Sequence, residues 1–283
     1  MPSFPRTQVE GLSLPRMLIG SNWMLGYSHT TVSADEMIRR RYSEAKAAAE
    51  TIQAYLEYDI DAMMAPFGGQ HVLLDGIKMA EDATGKKIIK IDTPIINVND
   101  STEARAEARA KIEECAKNGA KICLIHHSSA EQLVNKNKGT IERLPDYTDM
   151  IRQAGMIPGL SAHMPELVLY SDANEYDVQT YIQLYNCMGF LMQVEIEGVR
   201  AIIENAKKPV MSIKAMAAGR VSPYVGITFS FATLRPCDMV TVGAFTPEEV
   251  HEDVEIGLAA IERRFPNLER RSSPNKTAVL GGK

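Results

Sequence analysis

Short apolar runs and longer amphipathic stretches take turns along the chain. The apolar runs are RMLIGSN (16–22), IDAMMAP (60–66), KKIIKIDT (86–93), AKICLIHH (120–127), MIPGLSAH (156–163), DVQTYIQLY (177–185), PVMSIKAM (209–216) and DMVTVG (238–243). Each is short, rich in residues that favour strands and bounded by turn formers. Most are apolar at successive positions, as expected of parallel strands covered on both faces.

The stretches between them carry helix start and stop signals. In STEARAEARAKIEECAKNG, Ser101 is placed to cap the first turn and Gly119 to end the last. In TPEEVHEDVEIGLAAIERRF, Thr246 is the N-cap, Pro247 opens the helix and acidic residues fill its first turn. Strands and helices alternating at roughly 35 residues per unit predict one closed (β/α)8 barrel of the TIM type, occupying residues 1–265. A doubly wound open sheet is the weaker reading, because no GxGxxG follows the first strand. The segment 266–283 loses all periodicity and is expected to be an extended or disordered tail, or one laid over a neighbouring subunit.

Charge and cysteines narrow the partners. Thirty-one basic and 36 acidic side chains leave a net charge of -5, which does not build a nucleic-acid surface and suits a small-molecule substrate. Cys115, Cys123, Cys187 and Cys237 have no CxxC spacing, so neither a zinc knuckle nor a disulfide framework is expected. With no basic leader before an apolar stretch and no run of 18 apolar residues, neither secretion nor membrane insertion is expected, and a cytoplasmic protein is.

In such a barrel the loops after the strands form the chemical face. His29 follows the first strand, His71 the second, His126 and His127 end the fourth, and His163 ends the fifth, whereas His251 lies in a helix. A lone histidine at a strand end is more often a satisfied structural group than a catalytic one. Five of six at one end of a barrel point instead to acid–base chemistry or a metal site. Which of His126 and His127 faces inward stays open, because Ile122, Cys123, Leu124 and Ile125 are apolar on both sides of the strand. Asp92, leaving the third strand, is either a loop cap or a general base or metal ligand beside His126. Lys214, ending the seventh, either snorkels outward or enters the mouth as a base, a Schiff-base amine or an electrophilic clamp. Arg220 is suited to a carboxylate or phosphate, Glu195 sits near the start of the sixth helix, and Asn22, Trp23, Tyr27 and His29 suit a sugar ring.

CLIHHSS resembles the fourth-strand segment of aldo-keto reductases, whose active-site histidine would match His126. GLSAHMPELV, DVQTYIQLYN, PVMSIKAMAAGR and VTVGAFTPEEVHEDV resemble the family's later strands, so the similarity spans about residues 118 to 258. The resemblance implies a TIM barrel, NADP and carbonyl reduction. The first half departs from it: IDAMMAPFGG keeps Asp61 but offers Pro66 and Phe67 in place of the tyrosine, Lys90 stands two residues short of the end of KKIIKID, and GAFTPEEVHED is acidic where a 2′-phosphate would need bases.

The expectation from these residues is therefore a related barrel with a rebuilt site. Asp92, His126, His163 and Lys214 would abstract a proton next to a carbonyl, as in an isomerase, epimerase or lyase of a small sugar-like substrate. Asn22, Trp23, His29, Arg220 and Glu195 would bind that substrate. Asp92, His126 and His163 would hold a divalent metal if one takes part. A divergent NADP-dependent reductase is the second reading and a noncatalytic carbohydrate-binding barrel the third. The methionine-rich stretch from Met188 to Met192, an apolar wall or a subunit contact, and the tail suggest a homo-oligomer.

Overall fold

The computed structural model describes residues 2–268, and the tail expected at 266–283 lies outside the described residues from 269 onward. Each of the eight apolar runs contributes one strand to a closed parallel barrel. The strands are β1 (Met17–Gly20), β2 (Ala62–Ala65), β3 (Ile89–Asp92), β4 (Ala120–Ile125), β5 (Ile157–Ala162), β6 (Tyr181–Leu184), β7 (Val210–Ile213) and β8 (Met239–Val242). They pair in chain order, and β8 closes on β1 through Val240 opposite Met17. The observed strands are shorter than the apolar runs because the flanking residues turn out of the sheet into loops.

Alternation along each strand sorts the side chains into two cores. Leu18, Met64, Ile91, Ile122, Leu124, Ile182, Met211 and Met239 fill the barrel interior. The alternate positions, among them Met63, Cys123, Ile125, Leu160, Tyr181 and Val240, pack outward against the helices. In register, Ile182 lies opposite Met211 and Met211 opposite Met239, so the inward residues form layers around the axis.

The helices begin where their caps dictate. Ser101 Oγ accepts the Ala104 N–H at the head of α4 (Thr102–Lys117), and Thr246 Oγ1 accepts the Glu249 N–H at the head of α10 (Pro247–Glu262). The strand–helix alternation is embellished. Two helices, α1 (Val32–Arg41) and α2 (Ala45–Leu56), follow β1; α3 (His71–Thr84) follows β2; and a short α5 (His127–Ala130) precedes α6 (Leu144–Gln153) after β4. The remaining helices are α7 (Glu166–Ala173), α8 (Ile196–Asn205) and α9 (Pro223–Thr233). No helix among the described residues is long and apolar enough to cross a membrane.

Two small hairpins have no counterpart in the sequence reading, one pairing Val134–Asn135 with Thr140–Ile141 and one at the amino end. Arg6–Val9 and Leu12–Pro15 form an antiparallel hairpin, turned through Glu10 (φ 48°) and Gly11 (φ 81°). Two left-handed residues in a two-residue loop match the twist of the paired strands. Val9 and Leu14, both 0% exposed, join the interior core and seal the amino end of the barrel. Arg6 anchors the hairpin on Asp61 (3.0 Å) just before β2, and Thr7 Oγ1 donates to the Cys237 carbonyl just before β8. Asp61, which the resemblance matched to the family's aspartate near the second strand, therefore sits at the amino end of the barrel, opposite the carboxyl ends of the strands.

Replacing Leu14 by Ala opens the plug, and large-to-small changes at sealed core positions cost about 2–5 kcal/mol. Urea unfolding of Leu14→Ala is expected to show a lower midpoint with an unchanged slope, the midpoint shift multiplied by the slope giving that loss.

Candidate active site

At the carboxyl ends of the strands the barrel opens into a cavity of about 680 Å³. Its floor is the top layer of the interior core, Met64, Ile182 and Ile213, and its polar groups come from strand ends, from the loops after β1, β3, β4, β5 and β7, and from α10. The wall between β8 and β1 is thin, because a Cβ on Gly20 would lie 3.0 Å from the Gly243 nitrogen.

Strand phase places the histidines. Ile122 and Leu124 point inward, so His126, two residues further on, continues the inward row and lines the cavity. His127 lines it too, because the chain turns into α5 there and lays that ring on His163 with centroids 3.7 Å apart and planes 12° from parallel. The His126 and His127 rings are 4.3 Å apart. Glu131 holds this group from behind: its Oε1 accepts the N–H of His163 and of Met164, each at 2.8 Å, and its Oε2 lies 3.8 Å from His127 Nδ1.

The His126 tautomer follows from its neighbour. Ser128 N–H points at His126 Nδ1 from 3.3 Å, with Ser128 Oγ at 2.8 Å. A backbone N–H can only donate, so Nδ1 is the acceptor and the neutral ring carries its proton on Nε2. Burial, with His127 adding to it, lowers His126 to about 4. His163 also falls to about 4, through burial first and then through His127, His126, Lys214 and His29. Both rings are neutral donor–acceptors at physiological pH.

Lys214 reaches the same cavity by a distorted route. Met211 lies in the interior core with Ile213 packed against it, so simple alternation would send residue 214 outward. Its backbone instead adopts φ 65°, and Ala217 (48°) and Ala218 (55°) are left-handed as well. Side chains with a Cβ adopt that region at a cost, and such strain gathers where a site needs it. Lys214 lines the cavity, and burial lowers its amine to about 8. It also depresses His29, after burial, which puts His29 and His163 within its field.

The binding residues expected from sequence separate into three groups. Asn22, Trp23 and His29 line the cavity, with the Asn22 amide nitrogen 3.0 Å from His29 Nε2 and Trp23 leaning on Phe245 at 5.4 Å. Arg220 is not a lining residue; it straps the mouth. Its guanidinium lies 4.3 Å over the Phe190 ring and donates to the carbonyls of Ala217 (3.2 Å) and His29 (3.5 Å), joining the loops after β1, β6 and β7. Glu195 is the exposed N-cap of α8 and does not line the cavity.

Asp92 requires a correction. Ile91 belongs to the interior core with Ile89 packed against it, so Asp92 faces α4 while Thr93 takes the place at the mouth. The carboxyl is 1% exposed, accepts the Phe67 N–H at 3.4 Å and leaves Oδ2 without a partner. Burial raises its pKa against the opposing bonds from Cys115, Phe67 and Thr93. Asp92 therefore does not join His126 and His163, and the metal set of those three residues is not assembled. Among the described residues no group of three His, Cys, Asp or Glu side chains is arranged to hold a metal ion. Lys90 is also elsewhere, donating to the Asn118 carbonyl at 2.8 Å. His71 heads α3, exposed and outside the cavity.

Sequence reasoning missed several cavity residues. Ser161 and Thr241 follow inward strand phase, which apolar neighbours on both faces conceal. Asp253, with Glu249 and Glu252, lines the side formed by α10. Asp253 left a readable trace, a charge on the apolar face of α10 that Val250, Val254 and Gly257 define.

No family model and no curated protein matches the sequence. Solved structures do match in fold. A Pseudomonas aeruginosa protein described as an aldo-keto reductase aligns with a TM-score of 0.66 at 15% identity, covering 92% of this chain and 98% of that one. An aldo-keto reductase from Klebsiella pneumoniae in complex with NADPH aligns at 0.59 and 12% identity over 96% and 98%. Orotidine 5′-monophosphate decarboxylase from Methanocaldococcus jannaschii, with an inhibitor bound, aligns at 0.50 and 14% identity over 75% and 93%. At these identities the likeness is one of fold, a single (β/α)8 barrel of the kind aldo-keto reductases share.

Histidine NMR titration tests the electrostatics without any substrate. His126 and His163 are expected to stay neutral down to a midpoint near 4 rather than 6.5, with His126 showing the Nε2–H signature. Because folding depresses both values, the stability they contribute is complete above about 6.5 and is lost as pH falls toward about 4. Midpoints near 6.5 would contradict the buried placement.

Proposed function

We propose that the chain is an enzyme acting on the carbonyl group of a small ligand, with Lys214 as the reactive amine and the His126 Nε2–H donating to the carbonyl oxygen. The observation that carries this reading is the convergence, in one cavity, of a desolvated lysine lowered to about 8 and a neutral imidazole with its donor nitrogen free. Near neutrality a lysine so shifted is partly free amine, able to take a proton from the carbon beside the carbonyl or to form an iminium with it. The imidazole stabilises the charge that develops on oxygen, and His163 stands beside it as a proton relay. These are the needs of an isomerase, epimerase or lyase, and the chain supplies each of them itself.

Carbonyl reduction is the second reading, and fold likeness favours it, since a structural neighbour of nearly full coverage is an aldo-keto reductase that binds NADPH. The lining offers that cofactor one Lys or Arg side chain, Lys214, among the described residues, while Glu249, Glu252 and Asp253 line the cavity as well. Such a wall does not fit a dinucleotide carrying a diphosphate and a 2′-phosphate. After β2, Pro66 borders the cavity and Phe67 is fully buried, so neither brings a hydroxyl to it.

The pH dependence separates the two readings. If the amine is the base or nucleophile, kcat/KM rises through about pH 8; if the ammonium is a proton donor, it falls through the same value. Exchange of the α-hydrogen of small hydroxyketones into heavy water, followed by proton NMR, is expected to rise with pH. Lys214→Met and Lys214→Arg should each lower it by about 10² to 10⁴. Oxidation of NADPH by aldehydes with the opposite pH slope would instead establish the reductase.

A further inference from the structure

The wall formed by α10 carries charge that the proposed carbonyl chemistry does not use. Glu249, Glu252 and Asp253 are spaced i, i+3 and i+4, which places all three on one face of the helix, and all three line the cavity. Asp253 is 3% exposed and has neither a hydrogen bond nor an ion pair among the described residues. The groups acting on it are burial, Glu249 and Glu252, all of which oppose ionisation and push its carboxyl well above the usual range. Tyr55 on α2 is the neighbouring group that senses it. Arg41, whose guanidinium packs 5.2 Å over the Phe245 ring, acts on Glu248 rather than on Asp253. Glu249 accepts the Phe245 N–H with Oε2, and Glu252 is exposed with no ion pair among the described residues.

Like charges at this spacing repel, and a buried carboxyl without a partner destabilises a fold. The chain carries both costs at a cavity wall, where a ligand would offset them. A metal ion does not match, because no three carboxyl, imidazole or thiol groups of the described residues are arranged to hold one. A neutral hydroxyl would leave the repulsion in place. A primary ammonium needs one acceptor rather than three converging ones, and brings a positive charge and a donor to the unpartnered Asp253, with Glu249 and Glu252 on the same helix face.

We propose that this wall seats a primary ammonium group, so that the ligand is an amino-bearing carbonyl compound, an amino aldehyde or amino sugar, with its nitrogen on Asp253 in the field of Glu249 and Glu252 and its carbonyl at Lys214 and His126. The carbonyl half rests on the function proposed above, while the ammonium half rests on the carboxyls alone. The cavity is then polarised, with an amine and imidazoles at one end and carboxyls at the other. Burial alone accounts for the lowered Lys214, so the carboxyls are too far away to hold its proton. Burial, with Glu249 and Glu252 adding to it, holds the Asp253 carboxyl well above the usual range, and a seated cation opposes that shift, so binding favours proton release.

The test is calorimetric titration of the full-length protein with 4-amino-1-butanol and with its uncharged counterpart 1,4-butanediol. The amine is expected to bind at least about tenfold more tightly, since hydrogen bonds to charged groups are worth that much or more. Its apparent enthalpy should vary with buffer ionisation enthalpy, as proton release requires. Asp253→Asn should weaken the amine about tenfold while raising the melting temperature, a pairing that a purely structural carboxyl would not give. Glu252→Gln, at an exposed position, should weaken it without altering stability. Lys214→Met should leave amine affinity within about threefold, so loss of carbonyl chemistry and loss of ammonium binding are read separately. Equal affinity for amine and diol, unaltered affinity in Asp253→Asn, or displacement of the amine by millimolar magnesium would each overturn the proposal.

Discussion

The two-residue repeat of eight short strands decides which side chains at the strand ends enter the mouth. Once Leu18, Ile91, Ile122, Leu124 and Met211 are committed to the interior, positions two further along each strand inherit that direction. Thr93 and His126 therefore enter the cavity, and Asp92 is turned away beneath α4. Shifting any of these strands by a single residue would exchange the two sets. The hydrophobic core thus does more than hold the barrel together, because it also fixes the directions of the chemical groups.

Lysine 214 is the exception to that rule, and its cost is visible. The strand phase points it outward, and a left-handed backbone brings it back to the mouth. The left-handed run that follows places two alanines, Ala217 and Ala218, in that region before it reaches Gly219 (φ 82°). A fold accepts such conformations where the surrounding structure over-determines them, and here the Arg220 strap and the close turn of Ala217 onto the Lys214 carbonyl supply that support.

The strands were legible in the sequence because apolar runs bounded by turn residues are a strong signal, and the caps at Ser101 and Thr246 were legible for the same reason. Direction within a strand was not. In IIKID and ICLI both faces are apolar, since one meets the barrel interior and the other the helices, so phase leaves no contrast to read. That is why Asp92 was grouped with His126 while Thr93 and Ser161 went unnoticed. The amino-end hairpin escaped because TQVEGLSLP looks polar next to the barrel strands, although Glu10–Gly11 is a fair turn signal. The match of Asp61 to the family's aspartate after the second strand runs against position along the strand: Asp61 precedes β2 and meets Arg6 at the far end.

Sealing of the amino end by Val9 and Leu14 has a bearing on traffic through the molecule. With the bottom closed, the mouth beneath the Arg220 strap is where the cavity meets solvent among the described residues. A ligand seated there would leave by the side on which it entered, so the loops after β1, β6 and β7 would govern departure as much as arrival.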